Sequence, residues 1–328
     1  MKSDISFFIS CFALVILSGC GGGGGGASNT SPTTSNPSVF ISSSSINNAV
    51  TLGYLRQMSI SGGYLYVVDS LSANGAVTGR IRKFDASSGA YIKTEIASGG
   101  SADQQNAVYS VAVNGNDIYI TGTDNSAGLT GTGVINLNSS TSNLTAAALQ
   151  SPYGLVVGNN KLFVTDIGGT GDKVVIYNVT VSPPTLISSI TVATNPVGLA
   201  YDSSGFVYVT TQTAGTNGVY KISASSPYTV SAFANSSLFK NPNGIAVRTS
   251  PNEIYVVDTG TTDTNSSVLK ISADGSTVTK LLDGADSSSM LCAPIGAAIS
   301  GNVLYISNGT CTANSSYAKS VIKVTLAN

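Results

Sequence analysis

The chain predicts an all-β fold, a six-bladed β-propeller with about four antiparallel strands per blade. Three observations carry that expectation. A short phrase recurs six times, each copy is followed by further apolar runs of strand composition, and no helical period of useful length appears after residue 50. The clearest copies are Pro152-Tyr153-Gly154-Leu155-Val156-Val157, Pro196-Val197-Gly198-Leu199-Ala200-Tyr201, Pro242-Asn243-Gly244-Ile245-Ala246-Val247 and Pro294-Ile295-Gly296-Ala297-Ala298-Ile299. Two degraded copies lie upstream, at Leu55-Arg56-Gln57-Met58-Ser59-Ile60 and Val108-Tyr109-Ser110-Val111-Ala112-Val113. A period of about 44 to 53 residues is the length of one propeller blade.

Each element then has a physical role. The phrase is a first strand, small and apolar because it lines a crowded central channel. Gly154, Gly198, Gly244 and Gly296 let backbones approach closely there, or supply a turn conformation closed to other residues. The second runs, such as Leu65-Tyr66-Val67-Val68-Asp69 and Ile254-Tyr255-Val256-Val257-Asp258, are apolar at nearly every position, so both faces are covered by neighbouring blades. The third runs mix apolar residues with Lys83, Lys221, Lys270 and Lys323. A fourth, more polar run, such as Tyr228-Thr229-Val230-Ser231-Ala232-Phe233, makes the outer edge.

The last repeat ends at Val324-Thr325-Leu326, its third strand. Either Ala49-Val50-Thr51-Leu52 or Val39-Phe40-Ile41, upstream of the first blade, is expected to supply the missing outer strand and close the ring. The repeat pattern resembles the NHL-repeat propellers and the wider six-bladed group that includes the gluconolactonase-like proteins. The resemblance runs from about residue 50 to the end. It speaks to fold, since this scaffold hosts enzymes and plain binding modules alike.

The N-terminus reads as an export signal. Lys2 precedes an apolar run from Ile5 to Leu17, too short to span a membrane, and Leu17-Ser18-Gly19-Cys20 follows directly. That tetrapeptide resembles the lipobox of bacterial lipoproteins, which implies cleavage before Cys20 and lipidation of Cys20. The expected organisation is a signal peptide over 1–19, a lipidated Gly/Ser/Thr-rich tether over 20–45, and the propeller over 46–328. Gly21 stands where an Asp resembles an inner-membrane retention signal, so an outer-membrane protein facing the periplasm or the cell surface is expected.

Composition narrows the function classes. Lys and Arg number 15 against 16 Asp and Glu, a net charge of −1, which argues against nucleic acid as a partner. Only 9% of residues are charged, which disfavours electrostatic steering. Of four cysteines, Cys11 leaves with the signal and Cys20 takes the lipid. Cys292 precedes the first strand of the last repeat and Cys311 follows its second, so adjacent antiparallel strands place both at one end of the blade. A disulfide is expected there, in an oxidising compartment.

The candidate site is the channel mouth, where first strands begin and second strands end. Its residues are Arg56, Tyr109, Tyr153 and Asn243, just before the glycine positions, and Asp69, Asp166 and Asp258, at second-strand ends. For the aspartates a turn-capping role is favoured over a ligand role. The tyrosines either face the mouth or pack between blades. Gluconolactonase-like enzymes hold a divalent cation here with Glu, Asn and Asp. Only Asn243 matches such a position, so a calcium ion lacks its ligand set and no cofactor is expected. Absence of His removes zinc-lyase ligands and Ser-His-Asp triads, and absence of Trp removes sialidase-type Asp boxes.

The reading is a lipid-anchored envelope propeller acting as a non-catalytic binding or scaffold module for a protein, peptide or glycan. It touches the membrane through its lipid alone. The alternative is a gluconolactonase-like hydrolase or lyase using the channel mouth.

Overall fold

The computed structural model describes residues 34–46, 51–73, 76–95, 105–124, 131–138, 149–168, 171–192, 195–213 and 217–327. Cys20 and the signal segment lie outside them. A short strand β1 (Ser38–Ile41) precedes the repeats. Repeat one contains β2 (Tyr54–Ser61), β3 (Tyr64–Ala73), β4 (Ala76–Asp85) and β5 (Tyr91–Glu95). Repeat two contains β6 (Gln105–Asn114), β7 (Asp117–Asp124) and β8 (Gly131–Asn136), and its expected fourth run falls among undescribed residues. Repeat three is β9 (Pro152–Gly158), β10 (Lys161–Asp166), β11 (Lys173–Asn178) and β12 (Thr185–Thr191). Repeat four is β13 (Pro196–Tyr201), β14 (Val207–Thr211), β15 (Gly218–Ile222) and β16 (Val230–Asn235). Repeat five is β17 (Pro242–Thr249), β18 (Asn252–Asp258), β19 (Ser267–Ile271) and β20 (Val278–Asp283), and repeat six is β21 (Pro294–Ser300), β22 (Val303–Asn308) and β23 (Val321–Thr325).

The protein is an all-β propeller, but its strands form five hydrogen-bonded sheets where six separate ones were expected. Repeats one and two share a seven-stranded sheet. The cause is local. β5 pairs with β4 only between Ile81 and Phe84, which leaves the start of β4 open on that edge. The ten-residue β6 reaches it through a single pair, Thr78 with Asn106.

A second correction concerns the tether, which was expected to run to residue 45. β1 pairs antiparallel with β23, Ser38 opposite Lys323 and Val39 opposite Ile322. The Ser35 amide donates to the Thr325 carbonyl at 2.8 Å, and Ile41 is wholly buried. Residues 34–46 are therefore part of the fold. Of the two candidate edge segments, Val39-Phe40-Ile41 is the one in a strand, whereas Thr51 and Leu52 are not, and 49 and 50 are undescribed.

Second strands behave as their composition requires. From Leu162 to Asp166 every residue of β10 is buried, and the same holds for all of β14. Their β-branched and aromatic side chains pack between neighbouring repeats. Tyr208, Val219 and Phe239 of repeat four meet Ile245, Val256 and Leu269 of repeat five in one cluster. Each such side chain stabilises by about 1.5–3 kcal/mol when fully buried. The third-strand lysines are explained by these aromatics. Lys221 Nζ lies 3.7 Å from the Phe206 ring centroid and Lys83 Nζ 4.0 Å from that of Tyr64, while Lys270 pairs with Glu253. The stems cover apolar rings and the charges rest on a π-face or a carboxylate.

Cys292 and Cys311 form a disulfide, with Cα atoms 5.3 Å apart. It closes the segment that carries β21 and β22 and contributes about 3 kcal/mol in the chain-entropy account.

Candidate functional site

The first strands of all six repeats line one central channel, and each is fixed to the next by a hydroxyl. Thr121 Oγ1 donates to the Tyr153 carbonyl at 2.6 Å, Thr165 to Val197 at 3.0 Å, Thr210 to Asn243 at 2.7 Å and Ser307 to Arg56 at 2.6 Å. In repeats one and five that column holds Val68 and Val257. There the hydroxyl comes from two residues further along: Ser70 donates to Val108 at 3.3 Å and Thr259 to Pro294 at 2.7 Å. Six links thus join consecutive repeats, including the last to the first. Four of these hydroxyls also accept from the backbone of their own first strand, as Thr210 does from the Gly198 amide at 2.8 Å. The first-strand glycines serve the same contact. A Cβ on Gly154, Gly198, Gly244 or Gly296 would run into a carbonyl of the following repeat, at Val197, Asn243, Ile295 and Arg56 respectively. Close approach, not turn conformation, is what these glycines provide.

At the mouth the residues just before the glycine positions converge. The Tyr109 and Tyr153 rings stack with centroids 5.0 Å apart and planes 27° from parallel. The Arg56 guanidinium carbon sits 5.0 Å from the Tyr109 centroid and 5.2 Å from that of Tyr54. Its Nε donates to Ser70 Oγ at 3.2 Å. Burial pushes the Tyr153 hydroxyl pKa up, and the Arg56 charge partly opposes that. Arg56, Tyr109 and Tyr153 come from three different repeats, so their meeting depends on the ring.

Asn243 sits further round the same ring. Its Nδ2 donates to Thr259 Oγ1 at 3.2 Å, whereas its buried Oδ1 has no hydrogen-bond partner among the described residues. Val197 and Ile295 complete the ring positions and are buried and apolar. Tyr54 belongs to the cluster and sequence reasoning missed it. It stands one residue before the repeat phrase, where no column of matching residues marks it.

The three candidate aspartates serve the backbone of their own repeats. All are fully buried and hold the loop that enters their own repeat. Asp69 accepts from the Gly53 amide at 2.6 Å and from Arg82 Nε at 3.0 Å. Asp166 accepts from the Gln150 and Ser151 amides at 2.8 and 2.7 Å and lies 3.4 Å from Lys173 Nζ. Asp258 accepts from the Lys240, Asn241 and Gly260 amides at 2.7, 2.8 and 2.8 Å, although burial still pushes its carboxyl pKa up. Asn308 repeats the device, accepting from the Cys292 amide at 3.1 Å. These side chains accept backbone amides at turns, and Asp166 Oδ2 has no hydrogen-bond partner among the described residues.

A metal site is not formed by the residues in place. Among the described residues no three His, Cys, Asp or Glu side chains group together, and the mouth offers Asn243 beside Tyr, Val and Ile. The opposite end of the channel holds a cavity of about 230 Å³, walled by such residues as Met58, Val111, Leu155, Leu199, Ile245 and Ala298. It carries no charged side chain.

No family model and no curated protein matches the sequence. Solved structures do match the fold. The PQQ-bound aldose sugar dehydrogenase from Streptomyces coelicolor superposes with a TM-score of 0.60 at 14% identity, over 89% of this chain and 98% of its own. A gluconolactonase from Xanthomonas campestris gives 0.56 at 11% identity, over 89% and 95%. An auxiliary nutrient binding protein from Bacteroides thetaiotaomicron gives 0.55 at 12% identity, over 83% and 69%. The structural neighbours are gluconolactonase-like β-propellers. At these identities the likeness is one of fold.

Proposed function

We propose that the protein is a lipid-anchored, non-catalytic binding module that takes a protein, peptide or glycan at the mouth of its channel. The observation that carries this is the convergence of Arg56, Tyr109 and Tyr153 from three repeats on one partly open patch, while the carboxylates at the second-strand ends are buried. Aromatic rings beside an arginine are the composition of a recognition surface. A hydrolase needs an activated nucleophile or a general acid and base within reach. The sequence has no histidine, and the carboxylates at the second-strand ends are buried and accept backbone amides.

The finer architecture belongs to the same proposal. The seven-stranded sheet holds two complete sets of first, second and third strands joined by one residue pair, which supports counting six blades of the NHL-like kind. The β1–β23 pairing and the Ser307–Arg56 link support a ring closed through its N-terminal strand. Export by the segment before Cys20, lipidation of Cys20 and an outer-membrane address rest on the sequence alone, as does the exclusion of nucleic acid.

The alternative, a gluconolactonase-like hydrolase or lyase, draws on the fold. Two measurements on the purified protein separate the readings. Metal analysis after dialysis is expected to find no stoichiometric divalent cation, and aldonolactones incubated with calcium or zinc are expected to hydrolyse at the uncatalysed rate. A firmly held cation with cation-dependent turnover contradicts the binding-module reading.

A further inference from the structure

We infer that Arg56 is the anchor for a carboxylate, so that the ligand of the mouth is an acid whose carboxylate sits beside a flat or ring-shaped body. This rests on the mouth being the binding surface. The guanidinium is held between two tyrosines that belong to different parts of the ring. Tyr54 lies against Gly309 of repeat six, and Tyr109 belongs to repeat two. An arginine flanked in this way keeps its edge for in-plane hydrogen bonds. Nε is already taken by Ser70 Oγ at 3.2 Å, which orients the fork, and among the described residues no carboxylate occupies its other N–H groups.

The charge is the second half of the argument. Among the described residues, Arg82 pairs with Asp69 and Arg248 with Glu253, but no carboxylate pairs with Arg56. A half-buried guanidinium with no counter-charge among the described residues, opening onto a channel mouth, matches a carboxylate in geometry and in sign. The stacked Tyr109–Tyr153 pair beside it presents π-surface to the body of the ligand. Such a body could come from an aromatic acid or from a sugar acid, and the two differ in the face they lay on the tyrosine rings.

The test is a titration at low ionic strength, read by NMR of the tyrosine rings. The probes are two matched pairs: benzoate against benzamide, and methyl glucuronide against methyl glucoside. At least one acid is expected to bind about tenfold more tightly than its neutral partner. Which acid does so identifies the source. Arg56→Lys, which keeps the charge and loses the fork, is expected to weaken the acid by about tenfold, and Arg56→Gln to abolish the preference. The inference is overturned if acids bind no better than neutral partners, if neither acid binds, or if Arg56→Lys leaves affinity unchanged. A neutral probe that binds and is lost in Tyr109→Ala would overturn the carboxylate and leave the mouth standing. Acid binding that Tyr109→Ala and Tyr153→Ala do not disturb, by contrast, would remove the mouth itself.

Discussion

Thr210 shows how much of this molecule turns on single polar atoms. Its hydroxyl accepts from the Gly198 amide and donates to the Asn243 carbonyl, in a wholly buried position between two repeats. Thr210→Val keeps the shape and orphans both backbone groups. It should lower stability by about 1–3 kcal/mol in denaturant unfolding, while Thr210→Ser should recover most of the loss. Equal stability of wild type and the valine variant would mean that these links are incidental. The column was not legible in the sequence, because Val68 and Val257 interrupt it and the replacement hydroxyls lie beyond the strand-ending aspartates. Arg56, Tyr109 and Tyr153 were legible, since each breaks an apolar column at a position that faces the channel entrance. The aspartates stand at strand ends by the same logic, yet position alone does not tell which way a carboxylate turns. Here the entering loops offer amides at 2.6–2.8 Å, and a buried carboxylate cannot decline them.

Among the elements, β1 carries more than its four residues suggest. Its pairing with β23 covers an edge that would otherwise present open amides and carbonyls, and it buries Ile41 completely. Deleting residues 21–33 should leave the melting temperature unchanged. Deleting 21–42 should cost at least about 2–3 kcal/mol, a fall of roughly 5 °C or more for a domain of this size. Identical melting of the two truncations would show that the pairing does not close the fold. The period of the repeat predicted the order of first, second and third strands in each repeat. It could not predict that β4 and β6 would touch, because that depends on how short β5 is and not on either strand's own composition. Nor could it choose between Val39-Phe40-Ile41 and the segment nearer the first repeat, since both are short and apolar.

For the whole molecule, we propose a propeller carried by a lipid on Cys20, with its binding surface at the channel mouth. The anchor has its own test. Intact mass of the membrane fraction should show a chain beginning at Cys20 with a diacyl or triacyl addition, and a soluble product cut elsewhere would remove the anchor. The mouth is the central claim, and capture from envelope extracts tests it most directly. Wild type, Tyr109→Ala, Tyr153→Ala and the control Tyr228→Ala, which lies just before the outer strand β16, should be compared as folded proteins of matched circular dichroism. Each mouth substitution is expected to weaken capture of the co-purifying partner by about 1–3 kcal/mol, with the control unchanged. Capture that survives both mouth substitutions would place the partner on another face and contradict the account.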